Sequence, residues 1–489
     1  MPQLPEALYS AAQMRELDQR AVARGIAIEE LMQRAGMAAW QVLENRWPQA
    51  GHILVMAGAG NNAGDGYVLA TCALKAKRQV TLLNVGDATK LNGATAAARK
   101  QYLAAKGREQ EFAAALPDDT DVIVDALLGT GLDRPLQDHW LQAVQLINAS
   151  GKPVLALDIP SGLNADTGAV MGVAVRATAT VTFIGMKAGL LTGEGPDCAG
   201  EILLATLDVP SEVYESIRPF ARCIRNTDVR LPCRARASNK GMFGHVLVIG
   251  GDHGMGGAVR LTAEAALRSG AGLVSVATRP AHVTGLLAGL PEVMVRGMDD
   301  AADVVPLLAR ATVIAIGPGL GQDDWGRILL ARSLDTPLPL VVDADALNLL
   351  ATHPVTRGQW VLTPHPGEAG RLLKQTTEAV QQDRFQSAAQ LLEKYRAVAV
   401  LKGAGSIVAA EGEIPVVCRH GNPGMAAPGM GDALTGVIAA LIAQGLSLPD
   451  AAQAGVQFHA LAGDRAAQFG ERGLTAQDLI AELRHVVNA

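Results

Sequence analysis

The sequence has few aromatic residues, no surplus of positive charge and no long hydrophobic run, and each absence argues against a class of protein. Phe, Tyr and Trp together make up 3% of the chain, and its formal net charge is −6. Nucleic-acid-binding proteins usually present a basic face, so the lack of any long run of Lys and Arg argues against a nucleic-acid partner. The longest apolar stretches, such as residues 437–443, are far shorter than the ~20 residues that cross a bilayer, and no membrane partner is predicted.

Cysteine is also scarce, and the five cysteines do not fall into a metal-binding or disulfide pattern. Their spacing fits neither a zinc ribbon nor a CxxC pair, so we predict free thiols in a reducing compartment. Residues 1–5 lack the basic and apolar regions of a secretory signal peptide. These features together predict a cytoplasmic protein.

The chain is rich in glycine, and short apolar runs alternate with helical patterns along it. It has 53 glycines in 489 residues, a length that predicts at least two domains. The alternation predicts two α/β domains, each with a parallel sheet covered by helices, and a helix over 67–77 in the first. The predicted strands are 52–57, 80–85, 121–126, 153–158 and 179–184, followed by 246–249, 273–278, 311–316, 338–342, 360–362 and 397–401. The pattern breaks between about 208 and 240, where Pro210, Pro219 and Pro232 occur, and we predict domains of residues 1–218 and 219–489.

In the first domain, polar residues follow three predicted strands. A glycine-rich stretch at 58–66 meets the GxGxxG/A pattern, which by itself is a weak sign of nucleotide binding and also fits a plain turn. Asp125 and Asp158 end two further strands. A single Asp there is usually a helix cap or a turn former, but three polar strand ends at one sheet edge favour a ligand site. Their oxygens suit an alkali or alkaline-earth cation, or a general base.

These stretches resemble the NAD(P)HX epimerase family over about 200 residues, in 61–66, 125–132 and 158–168. The resemblance implies a Rossmann-like three-layer domain that acts on hydrated NADH and NADPH (NADHX and NADPHX), with Asp158 as the acid/base. It implies K⁺ near Asn62, Asp125 and Ser161. It implies that the hydrated cofactor contacts Asn61, Asn62, Ala63, Gly64, Asp65, Gly129, Thr130, Gly131, Leu132, Asp133, Arg134, Pro135 and Asp158. Ala63 stands where the family usually has Gly.

In the second domain, the stretch 421–436 is the most specific in the chain. Gly429 and Gly431 lead into a predicted helix whose first turn includes Asp432. Free N–H groups at a helix start can stabilise a phosphoryl group in transfer, and Asp432 could take a proton from the attacking hydroxyl. The alternative is an Asp that only interacts with the helix dipole. Lys402, after another strand, offers a cation to phosphates, whereas His365 alone would more often be a capping or core histidine.

These motifs resemble the ribokinase-like superfamily, specifically the ADP-dependent NAD(P)HX dehydratases, over residues ~225–489. The resemblance implies that ADP contacts Lys402, Gly403, Ala404, Gly405, Ser406 and Gly431. It implies that the hydrated cofactor contacts Gly319, His365 and Asp432, with Mg²⁺ bridging the nucleotide phosphates. Asn239, Met242 and Pro428 depart from residues common in the family. The implied reaction moves the β-phosphoryl group of ADP to the C6 hydroxyl, and loss of phosphate then restores NADH or NADPH.

The two resemblances together predict a bifunctional enzyme, because a dehydratase that takes one C6 epimer needs an epimerase. One alternative is a small-molecule kinase, such as a vitamin or sugar-like kinase, with an accessory nucleotide-binding domain. That alternative leaves the polar strand ends of the first domain unexplained. A second is a scaffold or RNA-associated protein, which the acidic balance disfavours. A homo-oligomer is also predicted.

Overall fold

The computed structural model describes residues 5–224, 231 and 233–489 and divides into two compact units, Met1–Arg222 and Cys223–Ala489. Residues 1–4, 225–230 and 232 lie outside the described residues. They include most of the N-terminal stretch 1–5 and part of the region 208–240 in which the α/β pattern breaks. Each unit is described by itself.

The first unit alternates strands and helices along most of its length. Its strands are β1 (Ala7–Tyr9), β2 (His52–Ala57), β3 (Gln79–Asn84), β4 (Glu109–Glu111), β5 (Val122–Ala126), β6 (Val154–Leu157), β7 (Ala179–Phe183), β8 (Met186–Lys187) and β9 (Glu201–Ala205), and β10 (Ala221–Cys223) extends one residue past the unit boundary. Its helices are α1 (Ala11–Ala23), α2 (Ile28–Arg46), α3 (Asn61–Lys75), α4 (Gly93–Ala104), α5 (Asp138–Ala149) and α6 (Gly195–Ala199).

Seven of these strands form a parallel sheet in the order β4-β3-β2-β5-β6-β7-β9. Alternate side chains of β2 point to opposite faces. Ile53 and Val55 pack in the apolar core that includes α1–α4, whereas Leu54 and Met56 pack in the core that includes α5. The result is the predicted three-layer domain. From β2 the chain adds β3 and β4 on one side of the sheet, and it then adds β5, β6, β7 and β9 on the other side. Open α/β sheets bind ligands at such a switch in strand order, which here lies between β2 and β5.

The second unit has nine strands and eleven helices within the described residues. Its strands are β11 (His245–Ile249), β12 (Leu273–Thr278), β13 (Met294–Gly297), β14 (Val313–Ile316), β15 (Leu340–Val342), β16 (Trp360–Leu362), β17 (Val398–Leu401), β18 (Ser406–Ala409) and β19 (Val416–Cys418). Its helices are α7 (Gly256–Arg268), α8 (Val283–Gly289), α9 (Val305–Leu308), α10 (Asp324–Leu334), α11 (Ala344–Thr352), α12 (Pro366–Leu373), α13 (Thr377–Gln382), α14 (Arg384–Tyr395), α15 (Met430–Ala443), α16 (Leu448–Ala466) and α17 (Ala476–Val486).

The sheet of the second unit has the order β13-β12-β11-β14-β15-β16-β17-β18-β19. Strands β11 to β17 are parallel, and β18 and β19 continue the sheet antiparallel. One face packs against the small apolar residues of α7 and α15, together with α16 and α17. The turns after β15, β16 and β17 lie at one edge of the sheet and bring polar residues together there.

The predicted α/β architecture is confirmed in both halves, but the helix predicted over 67–77 begins earlier and ends earlier. It starts at Asn61 and ends at Lys75. The polar stretch at 61–66 is therefore the first part of α3 and not a loop before it. None of the helices in the described part of the chain combines the length and apolarity that a bilayer crossing requires.

Candidate active sites

A cavity of about 820 Å³ opens where β2, β5 and β6 of the first unit end. Most of the residues predicted to contact the hydrated cofactor line it: Asn61, Asn62, Asp65, Gly129, Thr130, Gly131, Leu132, Asp133, Arg134, Pro135 and Asp158. Ala63 and Gly64 do not line it. Ala63 is fully buried within α3, and a Cβ at Gly64 would stand 2.3 Å from Met32 Sδ. Because Ala63 has helical backbone, its methyl group is accommodated without left-handed strain.

Asp125 and Ser161 lie beneath this cavity and bind each other. Asp125 Oδ1 accepts a hydrogen bond from Ser161 Oγ at 2.7 Å, and its Oδ2 accepts one from the Ser161 N–H at 2.8 Å. The N–H of Leu127 also donates to Oδ1, at 3.2 Å. Burial raises the pKa of Asp125 to about 6, although these three hydrogen bonds favour its carboxylate. A nearby cation would offset the cost of burying this charge.

Asn62 has the oxygen that such a cation would use. Its Nδ2 donates to the Leu128 carbonyl oxygen at 3.0 Å, whereas its buried Oδ1 has no hydrogen-bond partner among the described residues. Leu128 also connects this amide to Ser161, because the Leu128 N–H donates to Ser161 Oγ at 2.8 Å. An unpartnered amide oxygen close to a buried carboxylate and a hydroxyl is a donor set that suits a hard cation such as K⁺. The residues present therefore fit the predicted ion.

Asp158 directly follows β6 and adopts the left-handed region, with φ of +66°. Such a conformation is uncommon for a residue other than Gly and is found at functional sites. Its side chain is 17% exposed and forms an ion pair with Lys187 Nζ. Lys187 is 1% exposed, and its Nζ also donates to Thr182 Oγ1 and the Phe183 carbonyl oxygen, both at 2.9 Å. A Cβ at Gly129 would stand 3.5 Å from Asp158 Oδ2 and 3.6 Å from Asn62 Cβ, so Asp158 lies close to the predicted ion site.

Lys187 and Asp18 are cavity residues that the sequence did not reveal. Lys187 lies in the two-residue strand β8 without a recognisable motif, and Asp18 lies on α1, far from the glycine-rich stretches. Burial raises the pKa of Asp18 to about 6, with Lys187 opposing and Asp158 adding to the shift. Burial also raises the pKa of Asp65 well above its ordinary value, and the charges of Asp158 and Asp18 add to this. Isolated polar residues of this kind belong to no motif and to no apolar run, so the sequence alone does not mark them as site residues.

In the second unit, Asp343 and Lys402 form the centre of the polar site. Lys402 Nζ donates to Asp343 Oδ1 at 2.6 Å, and Thr435 Oγ1 on α15 donates to Asp343 Oδ2 at 2.9 Å. Burial alone would raise the pKa of Asp343, but Lys402 and the hydroxyl donors hold it below its ordinary value. Gly431 approaches this ion pair closely, because a Cβ at this position would stand 3.2 Å from Lys402 Nζ. The structure thus brings Lys402 and Gly431 close together, two of the residues predicted to contact ADP.

Asp432 lies in the first turn of α15, next to this ion pair. Burial raises its pKa to about 6, with the charge of Asp343 adding to the shift and that of Lys402 opposing it. Burial lowers the pKa of Lys402, but Asp343, Glu368 and Asp432 outweigh this effect, and its pKa is raised. A carboxyl group that titrates near neutral pH at a helix start suits proton transfer. Pro428 is exposed and precedes this helix.

The remaining predicted residues of this unit are distributed over neighbouring turns. His365 caps α12, where its Nδ1 accepts the Gly367 N–H at 3.0 Å, and its side chain is half-exposed. Burial, and then the charge of Lys402, lowers the pKa of His365. Ser406 Oγ donates to the Gly403 carbonyl oxygen at 3.0 Å, and buried Arg384 donates to the Lys402 carbonyl oxygen at 3.2 Å, which supports the turn after β17. A Cβ at Gly319 would lie 2.7 Å from Met255 Cβ.

Comparison with known proteins gives matches in both halves. Residues 28–189 match the family model for the YjeF-related protein N-terminus, and residues 246–485 match that for NAD(P)H-hydrate dehydratase. The chain is 50% identical over 484 residues to the bifunctional NAD(P)H-hydrate repair enzyme of Coxiella burnetii, covering 98% of this chain and 99% of that protein. It is 43% identical over 488 residues to the corresponding Escherichia coli enzyme, covering 99% of this chain and 95% of that protein.

Among solved structures, a ribokinase-like superfamily protein of Enterococcus faecalis is 30% identical with a TM-score of 0.52, and the match covers 56% of this chain and 97% of that one. A protein of Streptococcus mutans is also 30% identical, with a TM-score of 0.51 and coverage of 54% and 98%. The predicted ribokinase-like architecture is thereby confirmed.

Proposed function

Because this chain belongs to the family of bifunctional NAD(P)H-hydrate repair enzymes, we propose that it epimerises NADHX and NADPHX and dehydrates the S epimers with ADP. We assign the epimerase activity to a domain of residues 1–218 and the dehydratase activity to residues 219–489. Each unit has its own candidate site, and burial raises the pKa of one carboxyl group in each, Asp125 in the first unit and Asp432 in the second. This observation supports two separate activities. The small-molecule kinase alternative leaves the site of the first unit without a role.

In the epimerase site, Asp158 acts as the acid/base. The C6 carbon of the substrate is a carbinolamine carbon, so it can invert through an electrophilic intermediate. Lys187 holds the Asp158 carboxylate in place, and the turn at 129–135 lines the space for the substrate. Asn62, Asp125 and Ser161 would hold K⁺, which when bound supplies a fixed positive charge beside the substrate. The Asn62 Oδ1 without a protein partner is what supports this assignment.

The Asn62→Ala variant is expected to lose the K⁺ dependence of epimerisation. Wild-type protein should epimerise faster when K⁺ replaces tetramethylammonium, which is too large for the site, whereas Asn62→Ala should respond to neither ion. Epimer ratios measured by chromatography in the absence of ADP provide the rate. An Asn61→Ala variant, which changes an exposed amide beside it, is the matched control and should still respond to K⁺. A K⁺ response of undiminished size in Asn62→Ala would contradict the assignment.

In the dehydratase site, Asp432 takes the proton of the C6 hydroxyl as that oxygen attacks the β-phosphorus of ADP. The bond from this phosphorus to the bridging oxygen breaks, and AMP leaves. The ring nitrogen then expels phosphate from C6, and loss of a C5 proton restores NADH or NADPH. Lys402 and the turn 403–406 would hold the nucleotide phosphates, with Gly319 and His365 on the hydrated cofactor. Mg²⁺, when bound, would neutralise charge on those phosphates; the described residues contain no group of three His, Cys, Asp or Glu that could hold a metal.

The site of action and the assembly state are also proposed. We infer a cytoplasmic enzyme, which its five free cysteines support, and the prediction of a homo-oligomer stays a prediction. Size-exclusion chromatography with light scattering measures the number of subunits in the assembly.

The test of the proposed function is absorbance at 340 nm with mixed R- and S-NADHX, Mg²⁺ and K⁺, with and without ADP. Absorbance should rise only with ADP and should continue beyond the fraction present as the S epimer. If the rise stops at the S fraction, the protein dehydrates S-NADHX but does not epimerise R-NADHX, and the proposed epimerase activity is wrong. No rise in either cuvette would remove the repair function and favour the small-molecule kinase.

A further inference from the structure

The first helix of the chain brings a further carboxyl group into the epimerase cavity. Asp18 lies on α1, and it lines the same cavity as Asp65, Asp158 and Lys187. The family model that matches this unit begins at residue 28, so α1 precedes the matched region. The sequence offers no motif around Asp18, and its position follows only from the fold.

Two features of α1 fix the position of Asp18: the cap at the start of the helix and the buried apolar face. Ser10 and Gln13 form a capping box, in which Ser10 Oγ accepts the Gln13 N–H at 3.2 Å and Gln13 Oε1 accepts the Ser10 N–H at 3.1 Å. Met14 and Leu17 of the same helix are buried in the apolar core. Asp18 is one turn beyond Met14, which also lines the cavity, so its carboxyl group is directed there by a packed helix.

The two carboxyl groups of Asp18 and Asp158 have different surroundings. Asp158 is in direct contact with the ammonium of Lys187, so its carboxylate is available as a base. Asp18 has no such direct ion pair among the described residues. Burial raises its pKa to about 6, with the more distant charge of Lys187 opposing the shift and that of Asp158 adding to it. Pairs of acids with opposed environments are a common basis for assigning acid and base roles. Arg15 also lines this part of the cavity.

We propose that Asp18 is a catalytic residue of the epimerase, which protonates the departing C6 hydroxyl group while Asp158 deprotonates the water that adds back. This proposal rests on the epimerase function proposed above. It assigns the two protons of the reaction to different side chains.

The step is balanced in atoms and electrons. The Asp18 carboxyl proton moves to the C6 hydroxyl oxygen, the C6–O bond breaks with its electron pair leaving on water, and the N1 lone pair forms an N1=C6 iminium. Water then adds to the other face of C6, its extra proton passes to Asp158, and the iminium pair returns to N1. Proton exchange with solvent returns both carboxyl groups to their starting states. No oxidant or further reactant is needed.

Asp65 is the other acid in this cavity, and it is less suited to this role. Burial, and then the charges of Asp158 and Asp18, raises the pKa of Asp65 well above its ordinary value, which disfavours loss of its proton. A catalytic acid has to lose and regain its proton near the working pH. Asp18, with a pKa of about 6, meets that requirement.

The test compares Asp18→Asn with Glu16→Gln in the full-length chain, with S-NADHX as substrate and no ADP. Glu16 lies on the same helix, is exposed and pairs with Arg20, so it provides a matched loss of one carboxylate. We expect kcat for epimerisation to fall about 100-fold in Asp18→Asn, with KM within threefold of wild type, and to stay unchanged in Glu16→Gln. Dehydration of S-NADHX, measured separately with ADP, should be equal in all three proteins.

The pH profile separates catalysis from a structural role. Wild-type kcat should decline as pH rises through about 6, because Asp18 loses the proton that it donates. Asp18→Asn should lack this decline, and Asp18→Glu should restore it. His139 also lines the cavity, and His139→Gln is the control variant, which should retain the decline if Asp18 is its source.

Two results would overturn the assignment: an Asp18→Asn kcat within threefold of wild type, or an unchanged decline in that variant. Hydrogen exchange of peptides from β2 and β6 checks that unit 1 is folded in the variant, and Asp18→Glu tests the role if it is not. If wild-type protein does not epimerise at all, the proposed function fails. Wild-type epimerisation with a fully active Asp18→Asn removes only this inference.

Discussion

Replacing Asp432 by Asn is expected to lower the rate of ADP-dependent dehydration by about 10³-fold while epimerisation continues at its normal rate. Asn keeps the size of the side chain and its place in the first turn of α15, but it cannot accept the C6 hydroxyl proton. KM for ADP should change little, because Lys402 stays fixed on Asp343. The measurement is the rise at 340 nm with S-NADHX and saturating ADP.

The acidity of Asp432 adds a second expectation for the same site. Its pKa is raised to about 6 by burial, so the carboxylate needed as a base is lost as pH falls below that value. Wild-type dehydration should therefore decrease as pH falls through about 6, and the residual rate of Asp432→Asn should not show that decrease.

The matched control for Asp432 is Asp450→Asn. Asp450 also lies in the first turn of a helix of the same unit, α16, but it is exposed. If Asp432 acted only on the helix dipole, the two variants would show similar small effects on stability and none on rate. Dehydration that persists within tenfold of wild type in Asp432→Asn would therefore remove its assignment as the base.

The central strands of both units could be predicted from the sequence because they are short, continuous apolar runs. The predicted limits of β2, β12 and β16 match the structure. The edge strand β4, Glu109–Glu111, was missed because it is entirely polar and is defined only by its pairing with β3. Strand pairing at an edge depends on the neighbour, and the local sequence has no sign of it.

The start of α3 was missed because glycine is a poor helix former, and 61–66 contains two glycines. Tertiary packing overrides that preference. A Cβ at Gly66 would stand 2.6 Å from Ala126 Cβ on the neighbouring strand, and one at Gly64 would collide with Met32. The glycines therefore permit close packing of α3 against the sheet and against α2, and the helix begins at Asn61.

Site residues with a motif could be predicted, whereas isolated ones could not. Asn62, Asp125 and Ser161 were expected together from the resemblance, and the structure places them in one connected group through Leu128. Asp343 directly follows the predicted strand 338–342, yet its bonds to Lys402 and Thr435 depend on three elements far apart in sequence. Lys187 was missed for the same reason, since only the fold brings it to Asp158.

Replacing Asp158 by Asn is expected to lower epimerisation by about 10³-fold and to destabilise the first unit as well. The loss of rate follows from removal of the acid/base group. The loss of stability has a separate cause, because Lys187 is 1% exposed and the variant removes the carboxylate that forms its buried ion pair. Removing one partner of a buried ion pair costs about 3–5 kcal/mol.

The double variant Asp158→Asn with Lys187→Met separates these two effects. Met is apolar and has a similar length, so it removes the unpaired charge and should recover most of the lost free energy of unfolding. Epimerisation should stay as low as in the single variant, because the acid/base group is still absent. Urea-dependent hydrogen exchange of peptides from β6 and β7 measures the stability of this unit, and dehydration with ADP reports on the other. Recovery of epimerisation in the double variant would show that Asp158 contributes through the ion pair and not through proton transfer.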